Sequence, residues 1–527
     1  MLPYKRFPYT LTALCSVLYF APFLRVLTQI AGDEGTLIMG AVRVVEGQLP
    51  FRDFFEVMGP GTFYWLALFF KLLGTTWLAT RIDLLVTTLG ITLALLYLAR
   101  RLPGGNELAP LIFFVGVSHH SWNAISHHMD GNLFGLLSFA AFVFWMDKPR
   151  PLTIFLAGVG AGFTTWVLLP KGLLLFLSLV LLLAIFFRKD PVFRSAFTAL
   201  LGGFLLVNIT AVVLFWSAGG LPSLIYANLI WPFTHYSASN LVPYGFMFQF
   251  YRSGFLASLS PLLAPAAAQI VSGALSLPFA VVIGLPLLLL GCVIYFRRSA
   301  FDRTTLPYWI VGCAFWLSEM HRKDMAHIVW GSPILIVLAF SYGRQIRGRW
   351  VKPVLQMVTV CAVLVASLNP MAALLANHKL TTRRGTIYTS FQTDRVLEYL
   401  EAHASPGESV FVYPYSPMYN FLSATSNPTR YSILLYNTNT DQQFREAIRT
   451  IDTARAKYAV VDRTFPTWVH TWFPAYRMPA GEDLIVEPYL ADHYRVVSAA
   501  DDRYDLLERK DSAAGSAAAL SVSALPH

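Results

Sequence analysis

Continuous apolar stretches separated by short polar turns dominate the first three-quarters of this chain. Eleven of them are candidate membrane spans: 10–30, 77–99, 108–120, 132–146, 152–169, 172–187, 196–216, 277–296, 305–319, 327–342 and 353–375. A crossing takes about 20 apolar residues, so 108–120 and 132–146 are short and require extension past the bilayer or local thinning. The runs are unbroken rather than alternating, which predicts helices and not a barrel. The stretch 10–30 follows Lys5 and Arg6 but has no small-x-small cleavage site before Asp33, so it reads as a retained first helix rather than a signal peptide.

The polar punctuation sets the orientation. Lys5-Arg6, Arg100-Arg101, Lys148 with Arg150, Arg188-Lys189 with Arg194, Arg297-Arg298 with Arg303, and Arg344 to Lys352 mark alternate connections. Positive charge favours the cytoplasm, which places the N-terminus inside and the C-terminus outside. The outer face then carries 31–76, 119–131, 217–276, 320–326 and everything after about 376. Asp33, Glu34, Asp53, Asp130, His321 and His327 all fall on that side. Within the first outer loop, 36–46 is apolar at helical spacing and 63–73 is apolar after Pro60-Gly61; both predict interfacial helices. The region 217–276 mixes Trp231, Pro232, His235 and Tyr236 with apolar stretches, and predicts a further interfacial or re-entrant segment.

Beyond residue 376 the pattern changes to that of a soluble unit. Residues 393–403 and 440–451 have amphipathic helical spacing, the latter with Thr440 or Asp441 as N-cap. Residues 409–413, 457–461, 493–498 and 504–508 read as strands. The expected organisation is a polytopic α-helical membrane domain (1–376), a small extracytoplasmic α/β domain (377–510) and an Ala/Ser-rich disordered tail (511–527).

Composition agrees with a membrane protein: of 527 residues 55% are hydrophobic and 13% charged, against about 25% charged in soluble proteins. The net charge of +10 belongs to the topology-setting clusters, and no nucleic-acid-binding motif accompanies it. Cys15, Cys292, Cys313 and Cys361 all lie in apolar runs and read as small core residues.

Carboxylates at a membrane edge are costly, and therefore mark a functional site by default. Asp33-Glu34 is such a pair; Asp33 reads either as a general base or as a helix cap, and Glu34 as an assisting ligand or a first-turn acid. Asp130 ends the run His119-His120-Ser121-Trp122-Asn123-Ala124-Ile125-Ser126-His127-His128-Met129-Asp130. Its histidines invite a divalent metal, with Asp33, Asp130 and His128 as candidate ligands, but the spacing matches no closed zinc motif. Lys171 interrupts a long apolar region, either to grip an anion or to snorkel. Arg322 and His327 lie in an outer turn whose positive charge runs against the topology trend, which suits anion binding. Arg52 and Asp53 pair to fix the first loop or contact substrate. For Arg81 and Asp83 a structural salt bridge is the expected reading.

The order Asp33-Glu34, then Gly47 to Phe54, the Pro60–Gly74 segment, Arg81 and the outer-loop Asp130 resembles the polyprenyl-phosphate-dependent branch of the glycosyltransferase-C superfamily. Relatives there include protein O-mannosyltransferases, the lipid A aminoarabinose transferase and lipopolysaccharide-core transferases. The resemblance covers about the first 170 residues. Gly59-Pro60-Gly61 stands where many relatives have Pro-Pro, and the His-rich loop is not a family feature, so substrate and metal stay open. It implies Asp33 as catalytic base, Asp130 as supporting acid and a basic residue near Lys171 on phosphate. The expected function is an inverting membrane glycosyltransferase of the bacterial inner membrane, acting in cell-envelope glycan biosynthesis. Its donor would be a polyprenyl-phosphate sugar, and its acceptor a lipid, polysaccharide or protein outside the cytoplasm. A glycan ligase, a lipid-linked sugar flippase and a polysaccharide-binding scaffold are the alternatives.

Overall fold

A computed structural model of the chain describes residues 3–27, 32–104, 107–236, 240–390, 394–499 and 503–510. The end of the expected first span, Thr393 and the expected disordered tail lie outside the described residues.

The membrane part begins with α1 (Pro3–Phe20), which gives way to a 3-10 turn and the short strand β1 (Val26–Leu27). Next come α2 (Gly32–Val45), α3 (Gly61–Leu73) and α4 (Trp77–Ala99), followed by α5 (Leu108–Ser121), α6 (His127–Asp147), α7 (Pro151–Val167), α8 (Leu169–Phe187) and α9 (Val192–Ser217). After α10 (Leu221–Ile225) and two π-helical turns come α11 (Phe248–Leu259), α12 (Pro265–Ile283), α13 (Leu285–Phe296), α14 (Leu306–Glu319), α15 (Met325–Gly331), α16 (Pro333–Gln345) and α17 (Val351–Leu375).

Among the described residues, seven helices are long and apolar enough to cross a membrane alone, and the pair α15–α16, bent by 70°, makes an eighth. The chain expected to cross at 277–296 breaks at Gly284, between α12 and α13, and the one at 327–342 breaks at Ser332-Pro333. Proline cannot donate its backbone nitrogen and clashes with the preceding turn, so both breaks fall where Pro opens the next helix. The lipid-facing surface is legible in α8, where Leu173, Leu177, Leu181 and Ile185 recur every fourth residue and are all exposed. Such a stripe is stable only against hydrocarbon.

Helix α2 differs from the expected interfacial helix. It is buried on nearly every side, packed against α3 and the C-terminal unit. Helix α3 keeps the interfacial character, with Tyr64, Leu68 and Leu72 exposed.

The C-terminal unit is α/β. The hairpin β2 (His378–Thr382) and β3 (Gly385–Thr389) receives β1 as a parallel neighbour of β3, which stitches the end of α1 to this unit. Then follow α18 (Arg395–His403), β4 (Val410–Tyr413), α19 (Met418–Leu422), α20 (Asp441–Thr453), β5 (Tyr458–Asp462), α21 (Phe465–Trp472), α22 (Val486–His493), β6 (Tyr494–Ala499) and β7 (Tyr504–Arg509). The second sheet runs β4-β5-β7-β6, with β4 and β5 parallel and the rest antiparallel. Helix α18 is capped by Asp394, and α20 by a full capping box of Thr440 and Gln443. One apolar core runs from Phe20, Leu37 and Phe63 into Val396, Met418 and Tyr504, so this unit shares its interior with α2 and α3.

Helices α7 and α9 cross through two glycines. A Cβ at Gly158 would fall 2.1 Å from the Leu200 carbonyl oxygen, and one at Gly203 would fall 2.1 Å from that of Phe155. Backbones approach this closely in membranes only over small residues. Gly158→Val is expected to destabilise the protein by about 1–3 kcal/mol or more through overpacking, read as a lowered melting temperature of the detergent-solubilised protein.

Candidate active site

The polar residues collect at one end of the bundle, where α2, α6, α8, α14 and α15 start or stop beneath the C-terminal unit. Asp33 lies in the first turn of α2, where the helix dipole favours an anion. Its position depends on the glycines flanking it. A Cβ at Gly32 would meet the Tyr415 ring at 2.2 Å, and one at Gly35 would meet the Met418 nitrogen at 2.7 Å. The absence of side chains there lets the 415–418 turn seat directly on α2, and the Tyr415 hydroxyl donates to Asp33 Oδ1.

Asp33 remains accessible to solvent while protein surrounds it on most sides, the situation of a carboxylate in a cleft. This burial raises its pKa; the Tyr415 hydrogen bond and the charges of Arg322 and His327 pull the other way. Glu56, in the loop before α3, stands near enough to Asp33 to feel its charge, and burial pushes its carboxyl up to about 8. Sequence reasoning missed Glu56 and Tyr415. The first was hidden in an apolar loop, and the second lies far along the chain in the other unit.

Arg322, Asp324 and His327 form a second, adjoining group. Asp324 caps α15: its Oδ1 accepts from the His327 backbone nitrogen at 3.0 Å and lies 2.7 Å from His327 Nδ1. Burial raises the pKa of Asp324, but the neighbouring His327 and Arg322 outweigh it and hold the carboxyl well below its ordinary range. Arg322 donates to Asp324 Oδ2, to Asn240 Oδ1 at 2.9 Å and to the Trp472 carbonyl, and lies 4.8 Å over the Phe473 ring. It therefore ties the helical turn to α21 as well as facing Asp33.

A third group is fully buried. Glu319, the last residue of α14, has Oε1 2.6 Å from Lys171 Nζ and Oε2 2.8 Å from His128 Nδ1. Lys171 also donates to Asn132 Oδ1 at 2.7 Å. It neither snorkels nor faces open space, because an ammonium in this interior needs a carboxylate partner. Sequence analysis assigned Glu319 no role, although a lone acid ending an apolar helix is itself a signal. Among the described residues, the group of three whose ligand atoms all lie within 4.8 Å of one another is His128, Glu319 and His327. Of the three residues expected to serve a metal, only His128 is in that group; Asp33 and Asp130 are not. The histidine-rich run is divided: His119 packs against Phe20 and Tyr19, and His120 stacks on Phe255, as apolar filler.

The remaining expected site residues lie in other surroundings. Asp130, in the first turn of α6, is buried with Oδ1 3.4 Å from the Thr87 hydroxyl. Glu34 turns away from Asp33, pairs with Arg81 and accepts from the Ile125 backbone nitrogen at 3.0 Å. Arg81, stacked 4.1 Å over Trp77, thus bonds Glu34 rather than Asp83. Arg52 and Asp53 form a bidentate surface pair with both bonds at 2.7 Å, and Arg52 also reaches the Ala218 carbonyl. They fix the first loop against the end of α9.

The fold that carries this site is found in solved structures. The chain superposes on ArnT from Cupriavidus metallidurans bound to undecaprenyl phosphate with a TM-score of 0.54 at 12% identity, covering 96% of this chain and 98% of that one. The chain has the ArnT fold. The apo structure of ArnT gives the same result, with a TM-score of 0.53 at 13% identity over 95% of this chain and 96% of that one. No protein-family profile matches the chain, and no curated protein matches it by sequence.

Within this fold, Arg81 and Glu34 hold α4 to α2 beneath the site. Arg81→Ala leaves a buried carboxylate unpaired and is expected to cost about 3–5 kcal/mol. The double variant Glu34→Leu/Arg81→Met should recover much of that in thermal unfolding, whereas an equally unstable double variant would deny the pair its structural role.

Proposed function

We propose that this protein is an integral-membrane glycosyltransferase that moves a sugar from a polyprenyl-phosphate carrier to a hydroxyl acceptor on the outer face of a bacterial inner membrane. The observation that carries the reading is the Asp33 carboxylate, open to solvent in a cleft beside Arg322 and His327. It sits in a fold shared end to end with a protein that binds undecaprenyl phosphate. The basic clusters at the opposite helix ends put the N-terminus in the cytoplasm. Residues 377–510 form the domain that roofs the site.

In the proposed reaction Asp33 accepts the acceptor hydroxyl proton as the acceptor oxygen bonds to the anomeric carbon. The bond from that carbon to the phosphate oxygen breaks, its electron pair leaving with the polyprenyl phosphate, and the anomeric configuration inverts. A carboxylate with raised pKa is a stronger base once ionised, which suits this step. Arg322 lies on the side where negative charge grows on the phosphate and favours its departure. Three of the five Arg322 N–H donors are already engaged, which holds the guanidinium rigid and leaves the others to face an anion. Lys171 acts at one remove, by anchoring Glu319. Asp130 supports the helix ends around the cleft.

Radiolabelled polyprenyl-phosphate sugars supplied to the purified protein test the proposal. Asp33→Asn should reduce transfer by about 10²–10⁴-fold; label transfer equal to wild type would exclude Asp33 as the base. Carrier translocation without covalent transfer would favour a flippase, for which the broken α15–α16 pair offers a structural basis.

The pH profile provides a second check. The base works only when ionised, so the rate rises with pH through the pKa of Asp33. Tyr415→Phe removes a hydrogen bond that lowers this pKa, and should move the acid limb of the kcat/KM profile to higher pH. An unmoved limb would separate Tyr415 from the base.

A further inference from the structure

We propose that His128, Glu319 and His327 bind one divalent transition-metal ion of the zinc class at the buried junction of α6, α14 and α15. Their ligand atoms lie within 4.8 Å of one another, and all three residues are buried or nearly so. Two imidazoles and one carboxylate form a donor set suited to zinc, cobalt or iron rather than to magnesium or calcium, which prefer oxygen alone.

The local geometry favours an ion over a simple hydrogen-bonded cluster. His128 Nδ1 and Glu319 Oε2 approach to 2.8 Å at angles that fall short of good hydrogen-bond geometry. Buried polar atoms are rarely left in that state. Both would be satisfied by a shared cation placed between them.

The surroundings hold each ligand in place. His327 Nδ1 is engaged by Asp324 Oδ1 at 2.7 Å, which leaves Nε2 for the ion. A carboxylate behind a ligating histidine both orients it and makes it more basic. The His128 ring stacks on Trp330 at 4.3 Å, with 9° between the planes, and this fixes its direction. Lys171 takes the other oxygen of Glu319, so a single carboxylate oxygen points at the ion. Lys171 and Arg322 already balance Glu319 and Asp324, so the ion adds positive charge beside the Asp33 cleft. Three protein ligands leave a coordination position open, as in catalytic rather than structural zinc sites.

This inference does not depend on glycosyl transfer, and its test is metal content. The full-length protein in detergent is stripped with a chelator and dialysed against zinc, cobalt, magnesium or calcium, and bound metal is measured by mass spectrometry. Wild type should retain about one zinc or cobalt ion per chain and no magnesium or calcium, with cobalt giving a visible ligand-field spectrum.

His327→Ala and Glu319→Gln should lose the ion. Asp324→Asn should keep the stoichiometry at saturating zinc but weaken affinity about 10–100-fold. Asp33→Asn should bind metal as wild type does. Melting curves identify any variant that unfolds; His327→Ala, at the least buried of the three positions, then carries the test. Absence of zinc in the wild type, or equal zinc in wild type and folded His327→Ala, would overturn the site.

Discussion

The rule that a buried charge must meet its opposite governs the end of this helical bundle. Glu319 with Lys171 joins α14 to α8, and Glu34 with Arg81 joins α2 to α4. Apolar packing within a membrane sorts helix faces only weakly, because lipid tails are as apolar as leucine. An unpaired charge in the interior costs several kcal/mol, so these contacts select which helix ends meet. The cleft around Asp33 exists because those ends are held together.

The C-terminal unit completes that cleft rather than standing apart from it. Tyr415 reaches Asp33 over two glycines, and the Trp472 carbonyl and Phe473 ring engage Arg322 from above. The shared apolar core from Phe20 and Leu37 to Met418 and Tyr504 makes this seating part of folding. The site is thus divided between the helix ends and the unit that covers them.

The fold persists in ArnT at 12% identity. Lipid-facing positions such as Leu173, Leu177 and Leu181 ask only for apolar side chains, and one apolar residue substitutes for another at little cost. The positions under specific demand are few, and they gather at one end. That explains how a short set of residues near the N-terminus carried the resemblance while the later helices matched in layout alone.

Much of the architecture was legible in the chain. Continuous apolar runs located the long helices, although seven or eight rather than the expected eleven segments are long and apolar enough to cross a membrane among the described residues. Short apolar runs located β4 and β5, alternation located β6 and β7, and Thr440 or Asp441 marked the start of α20, because each is a local property of backbone and side chain. Asp33 stood out for the same reason, as an acid at the end of an apolar run. The partners of these groups were not legible. That Glu319 meets Lys171 and His128, that Glu34 takes Arg81 away from Asp83, and that Tyr415 lies on Asp33 depend on which distant helix ends come together. Hydrophobic period and charge position thus determined which segments enter the membrane and which acids are exceptional. Tertiary structure alone decided which charges neutralise one another, since Coulomb and hydrogen-bond energies act across space and leave no periodic mark along the sequence.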